Sequence, residues 1–292
     1  MRVLHPADGV LGFYDGRIAG WRAYSEAPNW LDDGGYVLGI CSYAIVDGSE
    51  ALVYDTHISL AHALIIRQTL HKLGVTSIRV VLSHWHRDHV AGNAVFADCE
   101  IVSNALTLQR LQQNREAIES GLPPIRPLVM PSRIFEGELE LHVGSTRVIL
   151  RQMDIHSDDG TVMLLPDSGV LFAGDTLEDT VTYVAQPNRL AIHLQELERL
   201  AGWNIGRILP NHGAAEVISS GGYTPDFIAV TRRYVEKLLL CRTQPDIAAL
   251  SLVEFLGQDA TSNVIRVFAP YETVHRDNVA AVMATRQDDT AF

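Results

Sequence analysis

Ser83-His84-Trp85-His86-Arg87-Asp88-His89 places four metal-competent side chains within six positions. The residues before it, Ile78 to Leu82, are β-branched or apolar and predict a buried strand. The cluster therefore lies where a strand gives way to a loop, a frequent place for chemistry. In extended chain, alternate side chains point the same way, so His84 and His86 can reach one metal together. Asp88 and His89 follow after the chain turns and can face a second metal beside the first.

Two metals need more ligands than this run holds, and other predicted strand ends offer them. His156 lies in Met153-Asp154-Ile155-His156-Ser157-Asp158-Asp159-Gly160, after a strand predicted over Arg147 to Gln152. Asp175 lies in Leu171-Phe172-Ala173-Gly174-Asp175-Thr176, where the glycine permits close backbone approach. His212 lies in Ile208-Leu209-Pro210-Asn211-His212-Gly213, again beside a glycine. Every donor in this set is nitrogen or oxygen. Zinc suits such donors, and iron or manganese fit them too.

Along the rest of the chain, strands alternate with helices, an α/β pattern. A strand over Tyr36 to Val46 and another over Ala51 to Tyr54 flank Asp47-Gly48-Ser49-Glu50, a hairpin turn. Ser59 to Leu73 has helical spacing, with Gly74 as its C-terminal cap. A second helix is predicted over Asn104 to Glu119, begun by Ser103 or Asn104. Short strands follow at Arg133 to Phe135, Leu139 to Val143, Thr161 to Leu165, Val170 to Ala173 and Arg207 to Leu209, with a helix at Ala191 to Leu200. Residues 1 to 35 show no clear period. From Pro225 the texture becomes helical, with candidates at Ile247 to Leu256 and Tyr271 to Thr285. The expected organisation is an α/β domain over 1–225, which holds all the metal-competent strand ends, and a helical C-terminal extension over 226–292.

The chain has 292 residues and a formal net charge of -12, with no basic run. Phosphate backbones need clustered positive charge, so nucleic acid is not an expected partner. Cys41, Cys99 and Cys241 are widely spaced and odd in number, which fits neither a disulfide framework nor a cysteine metal site. Cys41 and Cys99 are expected as buried structural thiols. The first residues lack a signal-like apolar stretch, and no segment is apolar enough to span a bilayer. These features lead to the expectation of a cytoplasmic protein, free of membrane, acting on a small molecule, with a homodimer as a further expectation.

The run His84, His86, Asp88, His89, followed in order by His156, Asp175 and His212, with Asp55 before it, resembles the metallo-β-lactamase superfamily. The resemblance spreads over most of the first 215 residues. It implies an αβ/βα sandwich, with two sheets face to face and helices outside. It also implies that His84, His86 and His156 bind one metal, that Asp88, His89 and His212 bind the other, and that Asp175 bridges them. Asp55 would support the metal loop by hydrogen bonding.

Such a site predicts a dinuclear hydrolase in which a metal-bridging hydroxide attacks the carbonyl of an ester, lactone, thioester or β-lactam. Two divalent ions against Asp88, Asp175 and hydroxide leave a formal charge of about +1, which favours a substrate gaining negative charge. Asp88 is expected to orient or shuttle the proton. Alternatives within the resemblance are an iron-dependent oxidoreductase and a phosphodiesterase.

Lactonases of the superfamily often carry a tyrosine three residues after the bridging aspartate. Here that residue is Glu178, with Tyr183 nearby. Arg87 is a candidate for a substrate carboxylate or a structural salt bridge, and Trp85 for the core. Trp21, Tyr24, Trp30 and Tyr36 are candidates for an apolar wall over the site. Arg232, Arg233 and Lys237 form a basic stretch on a predicted helix, read as a solvated face.

Overall fold

The computed structural model describes residues 1–285. Seven strands form the first sheet in chain order: β1 (Arg2–Ala7), β2 (Val10–Asp15), β3 (Ile40–Asp47), β4 (Glu50–Tyr54), β5 (Ser77–Val81), β6 (Glu100–Asn104) and β7 (Arg133–Phe135). The β1 to β4 pairs are antiparallel, and pairing from β4 to β7 is parallel. Five strands form the second: β8 (Glu138–Val143), β9 (Thr146–Ile155), β10 (Ser157–Leu165), β11 (Val170–Gly174) and β12 (Arg207–Pro210). Its spatial order is β12-β11-β10-β9-β8, with only β11–β12 parallel.

Period-two alternation places the layers. On β4, Ala51 and Val53 face an outer cluster with Ala63, Ile66 and Leu70 of helix α1 (Leu60–Lys72). Leu52 and Tyr54 face inward, toward Leu150, Met163 and Phe172 of the second sheet. Helix α2 (Arg87–Val90) follows β5, and α3 (Ala105–Gln113) with α4 (Arg115–Glu119) follows β6. Leu111 and Ile118 join the outer cluster. Helix α5 (Leu190–Ala201) packs on the second sheet, and α6 (Ala215–Ser219) follows β12. The result is the expected αβ/βα sandwich.

The C-terminal helices are α7 (Asp226–Leu240), α8 (Pro245–Ala248), α9 (Leu252–Leu256) and α10 (Tyr271–Ala284). Their apolar residues, such as Phe227, Tyr234, Phe255 and Val282, share one core with the second sheet. Residues 286–292 of the expected extension lie outside the described residues. Among the described residues, no helix is long and apolar enough to cross a membrane.

Several elements differ from the sequence reading. Residues 1 to 35 contain the β1–β2 hairpin, which the Asp8-Gly9 turn closes with Gly9 at φ 68°. The chain before β3 is a π-helical turn, Leu31–Tyr36, so that strand begins at Ile40 rather than Tyr36. The helix expected over Asn104 to Glu119 is interrupted at Asn114, and Asn104 is its cap, accepting from Thr107 N. Ile247 to Leu256 is also broken, because Ser251 and Glu254 form a capping box that starts α9 afresh.

Candidate metal centre

The site is built where strands of both sheets end. Beyond β5 the extended chain carries His84 and His86, and α2 then turns Asp88 and His89 toward them. Gly92 lets α2 sit against the end of β4: an added Cβ there would lie 2.1 Å from the Thr56 carbonyl oxygen. His156 occupies the tight turn between β9 and β10, with φ at 67°. Asp175 follows β11 and His212 follows β12.

These seven residues converge as two groups that share Asp175: His84, His86, His156 and Asp175, then Asp88, His89, Asp175 and His212. Within each group the donor atoms lie within 4.8 Å of one another. In the first, His86 Nδ1 is 2.9 Å from His84 Nε2 and 3.0 Å from His156 Nε2. In the second, His212 Nε2 is 3.2 Å from Asp88 Oδ2 and 3.4 Å from Asp175 Oδ2. His89 Nε2 is 3.2 Å from Asp175 Oδ2.

Contacts on the far side of the His156, His212 and His89 rings fix which nitrogen faces inward. His156 Nδ1 donates to the Tyr183 carbonyl at 2.9 Å, and His212 Nδ1 donates to the Gly39 carbonyl at 2.7 Å. A neutral imidazole that donates through Nδ1 presents a lone pair at Nε2. His89 Nδ1 lies 2.9 Å from Asp55 Oδ2. Asp55 is fully buried, sits at φ 66°, and also accepts from Ser83 N and Asn211 Nδ2. One carboxylate thereby ties the start of the His84 loop to the His212 loop. A left-handed backbone at Asp55 and His156 costs roughly 1–3 kcal/mol each and persists only where surrounding contacts hold it.

The charge pattern differs between the groups. Burial, then neighbouring histidines, holds His84 well below the usual imidazole range and pushes His86 down to about 3. Burial also opposes charge on His89 and His212, but the Asp175 and Asp88 carboxylates prevail and hold both well above that range. Burial would raise Asp88 and Asp175, yet the facing imidazoles hold both well below the usual carboxylate range. Burial opposes charge on His156 as well, but the Glu178 and Asp175 carboxylates raise it above its ordinary value, so positive charge is favoured at His156, His89 and His212 and opposed at His84 and His86. Asp175 Oδ1 is buried with no hydrogen-bond partner among the described residues. Converging lone pairs, two carboxylates and this orphaned oxygen fit a pair of divalent cations.

Three further residues shape the site; of these the sequence singled out Glu178 alone, and as a residue facing substrate. Asn211 donates to Asp55 Oδ2 at 2.5 Å. Asp159 accepts from Trp85 N at 2.9 Å and from Ser157 Oγ, joining the two loops that carry His84, His86 and His156. Glu178 is buried, lies 3.5 Å from His156 Nδ1, and accepts from Tyr183 N. The clues were their immediate neighbours: Asn211 precedes His212, and Asp159 closes the His156-Ser157-Asp158-Asp159 run.

Other candidates take ordinary places. Arg87 donates to the Ala117 carbonyl, and no acidic partner pairs with it among the described residues, so the salt-bridge expectation is corrected. Trp85 is half-buried at the edge of the outer cluster. Cys41 and Cys241 are buried, but Cys99 is only half-buried, because it lies past the 3₁₀ turn Asn93–Phe96 near the surface. Tyr24 and Trp30 line a cleft of about 410 Å³ with Leu31, Ile58 and Pro123. Tyr36 is buried, whereas Trp21 is exposed. Arg232 pairs with Glu236, Arg233 with Asp259, and Lys237 donates to the Phe255 carbonyl, so that basic stretch is spent within the fold.

The sequence model of the Metallo-beta-lactamase superfamily matches residues 35–212. An atrochrysone carboxyl ACP thioesterase, AgnL7, from Paecilomyces divaricatus is 25% identical over 227 residues. That match covers 75% of this chain and 65% of the thioesterase, so the chain spans just under two thirds of the length of its curated relative. Among solved structures, DIM-1 metallo-beta-lactamase superposes with a TM-score of 0.60 at 18% identity, covering 80% of this chain and 96% of that one. TMB-1 gives a TM-score of 0.60 at 17% identity, covering 81% and 97%. At such identities these two likenesses describe the fold.

Proposed function

The chain belongs to the metallo-β-lactamase superfamily of hydrolytic enzymes, and from that premise we propose that it is a dinuclear metal-dependent thioester hydrolase. The observation that carries the reading is the pair of converging donor groups sharing Asp175. His84, His86 and His156 would hold one ion, Asp88, His89 and His212 the other, and Asp175 both. Zinc suits these donors, with iron or manganese as alternatives. Bound divalent ions supply Lewis acidity and bring the pKa of water toward neutrality.

The chain's own groups do the rest. The far-side contacts of His156, His212 and His89 hold the donor atoms in place, so little reorganisation is needed as charge develops. Asp175 is 5% exposed and Asp88 15% exposed, so Asp88 is the carboxylate within reach of a substrate. Its carboxylate oxygen not turned toward His89 and His212 would take a proton from water and return it to the leaving group. Hydrolysis then breaks the acyl carbon–sulfur bond, places the water oxygen on the acyl carbon and releases a carboxylate and a thiol.

The curated relative is an ACP thioesterase, which supports a thioester over other carbonyl substrates. A lactone is less favoured, because Glu178 is buried against His156 instead of presenting a phenol to substrate. The unpaired cysteines support placement in a reducing compartment such as the cytoplasm. A hydrolysis panel of acyl thioesters, lactones, aryl esters, β-lactams and phosphodiesters, run on protein of measured metal content, tests the reading. Two divalent ions per chain with thioesters as best substrates is the expected result. One iron per chain with no hydrolysis of any member overturns it.

A further inference from the structure

Of the inward-facing histidines, His156 is the one whose support depends on the C-terminal helices. His89 leans on Asp55, and His212 leans on Gly39, both within the first 55 residues. His156 leans on the loop 176–184, through the Tyr183 carbonyl and the Glu178 carboxylate. That loop is held in turn by the segment around α10. Thr180 Oγ1 donates to the Arg266 carbonyl at 2.9 Å and accepts from Phe268 N at 2.9 Å. Asn278 accepts from Val184 N at 2.8 Å and donates to the Thr182 carbonyl at 3.0 Å. Tyr271 OH donates to Glu178 Oε2 at 3.3 Å.

Glu178 is 1% exposed, and no lysine or arginine pairs with it among the described residues. A buried carboxylate without a cation is costly. Its neighbours are a phenol, a peptide N–H and one imidazole. Only the imidazole can supply positive charge, and it does so most fully when its other nitrogen ligates a cation. A carboxylate behind a ligating histidine orients the ring and raises its basicity.

We propose that Glu178 is a positioning residue for His156, set in place by Tyr271 of α10, so that the C-terminal helices tune one of the two metal positions. The proposal rests on the dinuclear reading above. Position 178, three residues beyond Asp175, then acts from behind a ligand instead of on the substrate.

The test challenges the metal-loaded full chain with graded EDTA and counts ions per chain. Glu178→Gln keeps the shape and removes the charge. It should lose one ion at roughly 10–100-fold lower chelator than wild type while keeping the other as tightly as before. Tyr271→Phe, which removes only the hydroxyl that donates to Glu178, should loosen the same ion by a smaller factor. A cobalt-loaded sample should show the matching change in only one of its two spectral components. A merely structural role would loosen both ions together, and that result overturns the proposal, as do unchanged profiles in both variants. If Glu178→Gln does not fold, Tyr271→Phe carries the test alone. Wild-type protein that retains no metal would instead overturn the dinuclear reading itself.

Discussion

The two halves of the site use the same residue types to unequal electrostatic effect. The half built on His84, His86 and His156 has one carboxylate for three imidazoles, and burial keeps His84 and His86 neutral. The half built on His89 and His212 has two carboxylates, and these draw protons onto both imidazoles. The first offers ready lone pairs at His84 and His86, while at His156 the Glu178 and Asp175 carboxylates outweigh burial and raise the imidazole above its ordinary value. The second must exchange protons for a cation. Ligand identity alone hides this difference, because it arises from where Asp88 sits.

The largest expected effect removes what the halves share. Asp175→Ala should abolish binding of both ions and lower hydrolysis on the order of 10³-fold or more. Metal analysis with turnover checks it, and full turnover by a metal-free variant would remove the metal from the mechanism. Next, His86→Ala and Asp88→Ala should each reduce the content from two ions to one, with rate losses of at least roughly 10²-fold. If either variant lost both ions, the halves would be one cooperative unit and the comparison would fail.

Acid then separates the halves. An imidazole with a raised pKa stays protonated to higher pH, so protons compete at His89 and His212 before they compete at His84 and His86. As pH falls, His86→Ala protein, which keeps the second half, should release its ion at higher pH than Asp88→Ala protein. Metal content after equilibration between pH 8 and 5 reads this out, and the reverse order would refute the charge contrast.

The smallest effect lies outside the site. Burial pushes His193 down to about 4, below its ordinary value near 6.5. The unfolded chain therefore binds the proton more tightly. Its contribution is complete above about pH 6.5 and is lost as pH falls toward 4. His193→Leu should remove up to about 2 kcal/mol of the stability lost between pH 7 and pH 5, measured by urea unfolding at both. An unchanged loss would show that other groups dominate acid sensitivity, as the metal-facing histidines would.

What the sequence made legible was local. His84, His86, Asp88 and His89 stand within one short run, and Asp175 and His212 each stand beside a glycine at a strand end. The strand and helix order followed from apolar spacing, and the sheet layers from alternation on strands such as β4. What it left hidden was tertiary. Asn211 matters because it meets Asp55, 156 residues earlier. Glu178 matters because it meets His156 and Tyr271, and nothing in its own neighbourhood announces either. The β1 strand was hidden because it is an edge strand with exposed residues and a proline, which blur the alternation.

Donors come from both sheets: His89 follows a strand of the first and Asp175 a strand of the second, 86 residues apart in the chain. An ion held between them would act as a clip that closes a long loop, an entropic effect that grows with the length spanned. Parting the two layers would require releasing the clip first. Metal loading should therefore slow unfolding more than it speeds folding, making the loaded enzyme persistent in time as well as stable at equilibrium.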